Sequence, residues 1–191
     1  FFLLAHFEET YLQMLQWAEH ENEHIRRLAS EGIRPRLPWA PQLTDLRDDP
    51  TPIWPILEKL KGDHSLYVRR SVANNINDIS KDHPQMVIDI CSEWKQAASQ
   101  NINWVIRHGL RSLVKQGNAD VYPLLGFSQS VDIEQPLLRL SHSRLLLGQT
   151  LVLDFRLRSK QAQYVVLDYR IRFVGAAGKM TREKVFKWKN I

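Results

Sequence analysis

The chain has 191 residues, 43% of them hydrophobic, enough to bury a core for one large domain or two small ones. Its single cysteine, Cys91, excludes an internal disulfide framework and makes a reducing cytosol the expected compartment, and no apolar run approaches the ~20 residues of a membrane span. The formal charge of +5 is unevenly placed: residues 1–129 hold 14 basic and 16 acidic side chains and residues 130–191 hold 12 and 5, so a net −2 precedes a net +7. Such asymmetry suggests a polyanion partner for the last third, with solubility as the plainer reading.

The opening FFLL is too short for a signal-peptide core and has no basic residue before it. The chain starts without Met and in mid-pattern, so its natural N-terminus is expected to lie further upstream. From there to about residue 125 the apolar spacing is helical. Leu12, Leu15 and Trp17 begin one stripe, Ile53, Ile56, Leu57 and Leu60 make a second, and Met86, Val87, Ile90 and Trp94 a third. Pro84 behind Asp82 and His83 reads as an N-cap and the first turn of a helix. Trp17, Trp54, Trp94, Trp104 and Trp188 all fit apolar stripes, and Cys91 reads as a small buried hydrophobe.

One phrase recurs in this half, as HIRRLA at 24–29, YVRRSVA at 67–73 and WVIRHGLRSL at 104–113. Aligned on Ile25, Val68 and Val105, the copies stand 43 and 37 residues apart. Helical self-similarity near that period, two helices per unit, points to an α solenoid of HEAT-like helical repeats over residues 1–127.

After Phe127 the period changes to two. In LVLDFRLR (151–158), Leu151, Leu153, Phe155 and Leu157 share a face; in YVVLDYRIRF (164–173), Val165, Leu167, Tyr169, Ile171 and Phe173 do. With LLRLS at 137–141, the Gly175–Gly178 turn and EKVFKWK at 183–189, this predicts four antiparallel strands over residues 131–191. A stable sandwich normally has more, so an all-β, Ig-like module cut short at residue 191 is expected.

Some residues fit their helices poorly. NNINDISKDHP (74–84) packs three Asn and one Asp into five positions, although their side chains compete for the backbone. Asp78 falls near its helix C-terminus, where the macrodipole disfavours negative charge by about 0.3–1 kcal/mol. Glu31 has the same problem in the preceding unit, one residue before Gly32. Both acids are expected to project from one edge of the solenoid, beside the recurring pairs Arg26/Arg27 and Arg69/Arg70. The connector IRPRLPWA (33–40) adds Arg34, Arg36 and a Pro-bounded Trp39. The seven histidines are dispersed, with no HExxH or CxxC, so no metal site is expected.

HIRRLASEGIRPRLPWA, YVRRSVANNINDISKDHP and WVIRHGLRSLVKQGN, followed by LLGF, LDYRIRF and VFKWK, resemble the AlkC branch of the HEAT-like DNA alkylation-repair glycosylases over nearly the whole chain. The resemblance implies an α solenoid joined to a C-terminal Ig-like domain, and a monofunctional DNA glycosylase. It would hydrolyse the N-glycosidic bond of cationic N-methylated bases such as 3-methyladenine and 3-methylcytosine. It places the active-site acids at Glu31 and Asp78 and the aromatic lesion contact at Trp39. Arg27, Arg34, Arg36, Arg69, Arg70, Asn74, Arg107 and Arg111 are the expected DNA-binding residues. Double-stranded alkylated DNA is the implied partner, with no cofactor, no membrane, a monomer, and the bacterial cytosol and nucleoid as location. The family has further N-terminal helices that this stretch lacks. A non-catalytic scaffold binding DNA or protein is the competing reading, since fold alone does not decide function.

Overall fold

A computed structural model of the chain describes residues 2–97, 99–127, 132–146, 148–163, 165–175 and 177–190. The Trp188 side chain, assigned to an apolar stripe from the sequence, lies outside the described side chains. The chain divides into two compact units, Phe1–Leu125 and Gly126–Ile191.

The first unit is helical: α1 (Phe2–Ala5), α2 (Phe7–Trp17), α3 (Glu23–Gly32), α4 (Thr44–Asp48), α5 (Trp54–Leu60), α6 (Leu66–Ile79), α7 (Pro84–Gln96), α8 (Gln100–Gly109), α9 (Arg111–Gln116) and α10 (Val121–Leu124). Contacts pair α2 with α3, α5 with α6 and α7 with α8, and α6 packs between α3 and α8. The recurring phrase therefore lies on the second helix of each pair, as a HEAT-like solenoid requires.

Each of these second helices is started in the same way. Asn22, Ser65 and Ser99 accept from the backbone N–H of His24, Tyr67 and Ile102, satisfying donors that a helix start leaves open. The phrase's first arginine also repeats its role. Arg26 Nη1 donates to the carbonyls of His20 and Glu21, and Arg69 Nη1 to those of Asp63 and His64, the same two offsets back into the preceding turn.

Ile53, Ile56, Leu57, Leu60, Val68, Val72, Ile76 and Val105 form a fully buried centre. Gly109 permits the close approach of α8 to α6, because a Cβ there would meet Ile76 Cγ2 at 2.8 Å. The first apolar stripe differs from expectation: Leu12 is exposed, and Met14 is the buried residue of α2. Met14 Cε packs against Gly32, 2.8 Å from where a Cβ there would stand, so the methionine and not Leu12 meets the end of α3. Asp82 does not cap α7; Pro84 occupies the first turn after His83 as expected, but no side chain caps it. Among the described residues, no helix is long and apolar enough to cross a membrane.

The second unit contains β1 (Ile133–Leu140), β2 (Leu153–Ser159), β3 (Val166–Val174) and β4 (Met180–Asn190). β1 pairs antiparallel with β2 and β3 with β4, as two two-stranded sheets. Pro136 lies where the β1–β2 register shifts, between Glu134 and Leu137, because proline cannot donate to the ladder. β2 alternates half-buried and exposed positions as its sequence predicts. β3 departs from expectation: Ile171 is 40% and Phe173 43% exposed. A two-stranded pair supplies no opposing layer of its own against which that half of β3 would be buried.

Candidate active site

The site forms where α3 and α6 end beside the connector that follows α3. Glu31 is the second-last residue of α3, and Asp78 the second-last of α6. After Ile33, which is fully buried, the chain turns Arg34 inward until it is 8% exposed. There the Arg34 guanidinium lies between the two acids. Its Nε and Nη2 donate to Asp78 Oδ2 at 2.9 and 2.7 Å, and its Nη1 donates to Glu31 Oε1 at 2.6 Å.

The remaining carboxylate oxygens are also engaged. Ser71 Oγ donates to Glu31 Oε2 at 2.6 Å, and Arg27 Nη2 stands 3.5 Å from it. Lys81 Nζ donates to Asp78 Oδ1 at 2.9 Å from a side chain that is 41% exposed. The macrodipole difficulty of each acid is thus met by a cation three residues later, Arg34 after Glu31 and Lys81 after Asp78. Burial opposes the Arg34 charge, but its hydrogen bonds and Coulomb attraction to Asp78 and Glu31 outweigh it, so its pKa lies above the ordinary arginine value.

The asparagines of α6 also find their reasons. Asn75 donates to the Ser30 carbonyl at 3.0 Å, satisfying a backbone acceptor that the end of α3 would leave open. Asn74 Oδ1 accepts from Arg111 Nη2 at 3.0 Å.

From Pro35 the connector returns outward. The Leu43 N–H donates to the Pro35 carbonyl, closing the loop between them. Trp39, in that loop, has a relative exposure of 104% and a φ of +67°, a left-handed conformation uncommon for a bulky residue. Its indole stands in solvent, available as a stacking surface. Arg34 also lines an apolar cavity of about 710 Å³ with Leu3, Met14, Trp17 and Leu37; neither Glu31 nor Asp78 lines it.

The eight DNA-binding expectations separate into groups. Arg34 is 8% exposed, with its Nε and Nη2 turned to Asp78 and its Nη1 to Glu31. Arg36 closes a two-fold pair with Asp82, at 2.8 and 2.7 Å. Arg69 is tied to its turn and lies over the Trp104 ring, 5.7 Å from the centroid. Arg27 lies over the Tyr67 ring at 4.5 Å, half-buried. Arg70 and Arg107 are exposed. Arg111 is exposed as a residue, with Nη1 on the His108 carbonyl at 2.6 Å, and partial desolvation of its guanidinium lowers its pKa despite the attraction of Asp78.

Sequence reasoning missed Ser71, Asn75 and Lys81, and did not anticipate that Arg34 bonds both acids. A signal was present for the cations: acid and base stand three apart in EGIR (31–34) and in DISK (78–81), at matching places in consecutive repeats. Among the described residues, no group of three or more His, Cys, Asp or Glu side chains could hold a metal ion. Burial pushes the Cys91 thiol up to about 12, which makes it inert.

Over the whole chain, the fold superimposes on the structure of Pseudomonas fluorescens alkylpurine DNA glycosylase AlkC bound to DNA containing an abasic site analog, with a TM-score of 0.90 and 42% identity, covering 53% of that chain. The likeness to AlkC runs along the entire length of this chain. The Bacillus subtilis (strain 168) protein described as "Uncharacterized protein YhaZ" is 44% identical over 186 residues, 97% of this chain and 52% of YhaZ. The chain thus spans about half the length of both relatives. Residues 135–191 match the family described as "Uncharacterised protein YhaZ, C-terminal Ig-like domain". An AlkC-like helical solenoid followed by an Ig-like β module is therefore the architecture.

Proposed function

We propose that this AlkC-like protein is a monofunctional DNA glycosylase that releases cationic N-methylated bases, such as 3-methyladenine and 3-methylcytosine, from duplex DNA. The observation that carries the reading is the convergence of Glu31 and Asp78, from consecutive repeats, on the Arg34 guanidinium, five residues before the fully exposed Trp39 in the same connector. N-methylation leaves the base positively charged and hence a good leaving group, so no acid is needed to protonate it. This differs from the two-carboxylate glycosidases, where an acid must assist the departing oxygen.

The C1′–N bond breaks with its electron pair passing to the base, which leaves neutral. The sugar becomes oxocarbenium-like, and water adds to C1′ while its proton passes to solvent or a carboxylate. Glu31 and Asp78 stabilise the positive sugar and orient that water. Each ionised carboxylate offers about four acceptor sites. Three hydrogen bonds to Asp78 leave room for one more, and the half-exposed Lys81 can turn away to give access. Trp39 stacks on the cationic base or wedges beside it.

Phosphates fall to Arg70, Arg107 and Arg111, exposed on α6, α8 and α9, with Arg27 and Asn74 beside them and the basic β unit adding to the attraction. The protein acts as a monomer without a cofactor in the bacterial cytosol and nucleoid. The test is release of methylated base from alkylated duplex DNA by the full-length protein. Release with a steep loss of affinity as salt rises supports the reading; no release, with binding to duplex intact, leaves a non-catalytic DNA-binding scaffold.

A further inference from the structure

We infer that Arg34 is a positioning residue of this site: it locks Glu31 and Asp78 against each other so that both address one sugar, and it takes no phosphate. The inference rests on the glycosylase reading and deepens it. The geometry is that of a clamp. Three nitrogens of one rigid plane reach two acids, which are supplied by helices 47 residues apart in the chain. Ser71 and Arg27 touch Glu31 alone, and Lys81 touches Asp78 alone; among the described residues, Arg34 is the group with bonds to both.

Charge gives the second argument. Two carboxylates at two helix C-termini repel each other and face two negative dipole ends. A cation buried between them offsets that repulsion and makes their proximity stable. Arginine suits this better than lysine, because its donors are fixed in a fork and it stays protonated at any relevant pH.

Backbone position gives the third. Arg34 precedes Pro35, whose ring fixes its own φ and restricts Arg34's backbone, and the Pro35 carbonyl is bonded to the Leu43 N–H. The connector that lifts Trp39 into solvent is therefore anchored by the same residue that aligns the acids. Loss of the clamp lets the carboxylates separate, and a misplacement on the ångström scale costs about 10²-fold in rate.

The experiment is a double-mutant cycle on the full-length protein. Single-turnover excision, affinity for undamaged duplex and its salt dependence are measured for Arg34→Gln and Arg34→Lys, alone and combined with Asp78→Asn, with folding checked by circular dichroism. The expected result for Arg34→Gln is an excision rate lower by about 10²-fold, with undamaged-DNA affinity and salt slope unchanged. Arg34→Lys restores part of the rate. In the Asp78→Asn background, either Arg34 change costs about threefold or less, because its effect passes through the acid pair. If Arg34→Gln does not fold, the Arg34→Lys arm carries the cycle. Equal rate losses in both backgrounds would overturn the inference, as would a lowered salt slope with the rate intact. Absence of excision by the unaltered protein would instead sink the glycosylase reading, and this inference with it.

Discussion

Arg26 and Arg34 stand eight residues apart, both are less than a tenth exposed, and both grip an aspartate contributed from the next repeat. Around Arg26 the bonding is complete. Its Nε and Nη2 donate to Asp63 at 2.6 and 3.0 Å, its Nη1 takes two carbonyls, and Asp63 also receives the Ser65 N–H at 2.8 Å. The Asp63 side chain is 5% exposed, and the pair closes one turn of the solenoid onto the next. Around Arg34 the same chemistry is spread over two acids, Glu31 with its side chain 18% exposed and Asp78 4%, and Asp78 also holds the half-exposed Lys81. A buried arginine–carboxylate pair is not in itself a sign of function. What distinguishes the second is like charge brought together: Asp78, its side chain 4% exposed, is as closed as Asp63, and Glu31, at 18%, is the acid left partly open.

The contrast breaks most visibly in stability. Asp63→Ala leaves Arg26 buried and unpaired, so unfolding free energy should fall by about 3–5 kcal/mol while excision by the folded fraction is unchanged. Chemical denaturation and single-turnover kinetics on one preparation check this; an excision loss with stability retained would reverse the assignment of the two arginines.

Acid should act on the structural pairs. Burial opposes ionisation of Asp63, yet the Arg26 and Ser65 hydrogen bonds outweigh it and hold the carboxyl below its ordinary range. The hydrogen bond from Arg36 holds Asp82 low in the same way. A depressed carboxylate contributes stability that is fully present above its unfolded pKa, about 3.9, and lost as pH falls through the folded value. Thermal melts should therefore decline below about pH 4, and Arg36→Gln should make the decline shallower. A melt independent of acidity would contradict both pairs.

At the reachable site the effects are smaller and fall on recognition. Trp39→Gly should reduce the preference for a cationic lesion over undamaged DNA by about 2- to 30-fold, corresponding to about 0.5–2 kcal/mol of cation–π contact. It should leave the melting temperature unchanged or raised, because glycine accepts the left-handed backbone at this position without strain. A large drop in melting temperature would make Trp39 a packing residue. Smallest of all, Arg70→Gln and Arg107→Gln should each lower the slope of log affinity against log salt by about 0.9, with lesion preference unaltered.

Repetition made much of this legible in the sequence. The phrase shared by α3, α6 and α8 identified the solenoid, since apolar and arginine positions recurred together, and period-two alternation marked the strands from LDFRLR onward. Glu31 and Asp78 stood out because acids at helix C-termini run against the macrodipole. Partners were harder to read. Arg34 and Arg70 look alike as letters, yet one is drawn inward by two carboxylates and the other faces water. Whether an arginine meets a phosphate or a carboxylate depends on which helix ends lie opposite, and that follows from packing. Met14 replacing Leu12 in the core is likewise a matter of packing, against Gly32 on another helix.

The central claim is that Asp78 serves chemistry rather than the fold, and Asp78→Asn with single-turnover excision tests it most directly. The substitution keeps the shape and removes the charge proposed to stabilise the sugar. Excision should fall by about 10²–10³, the scale of one lost electrostatic stabiliser. Affinity for undamaged duplex should hold or rise, because the protein carries one negative charge fewer toward a polyanion. Normal excision by a folded Asp78→Asn protein would contradict the account.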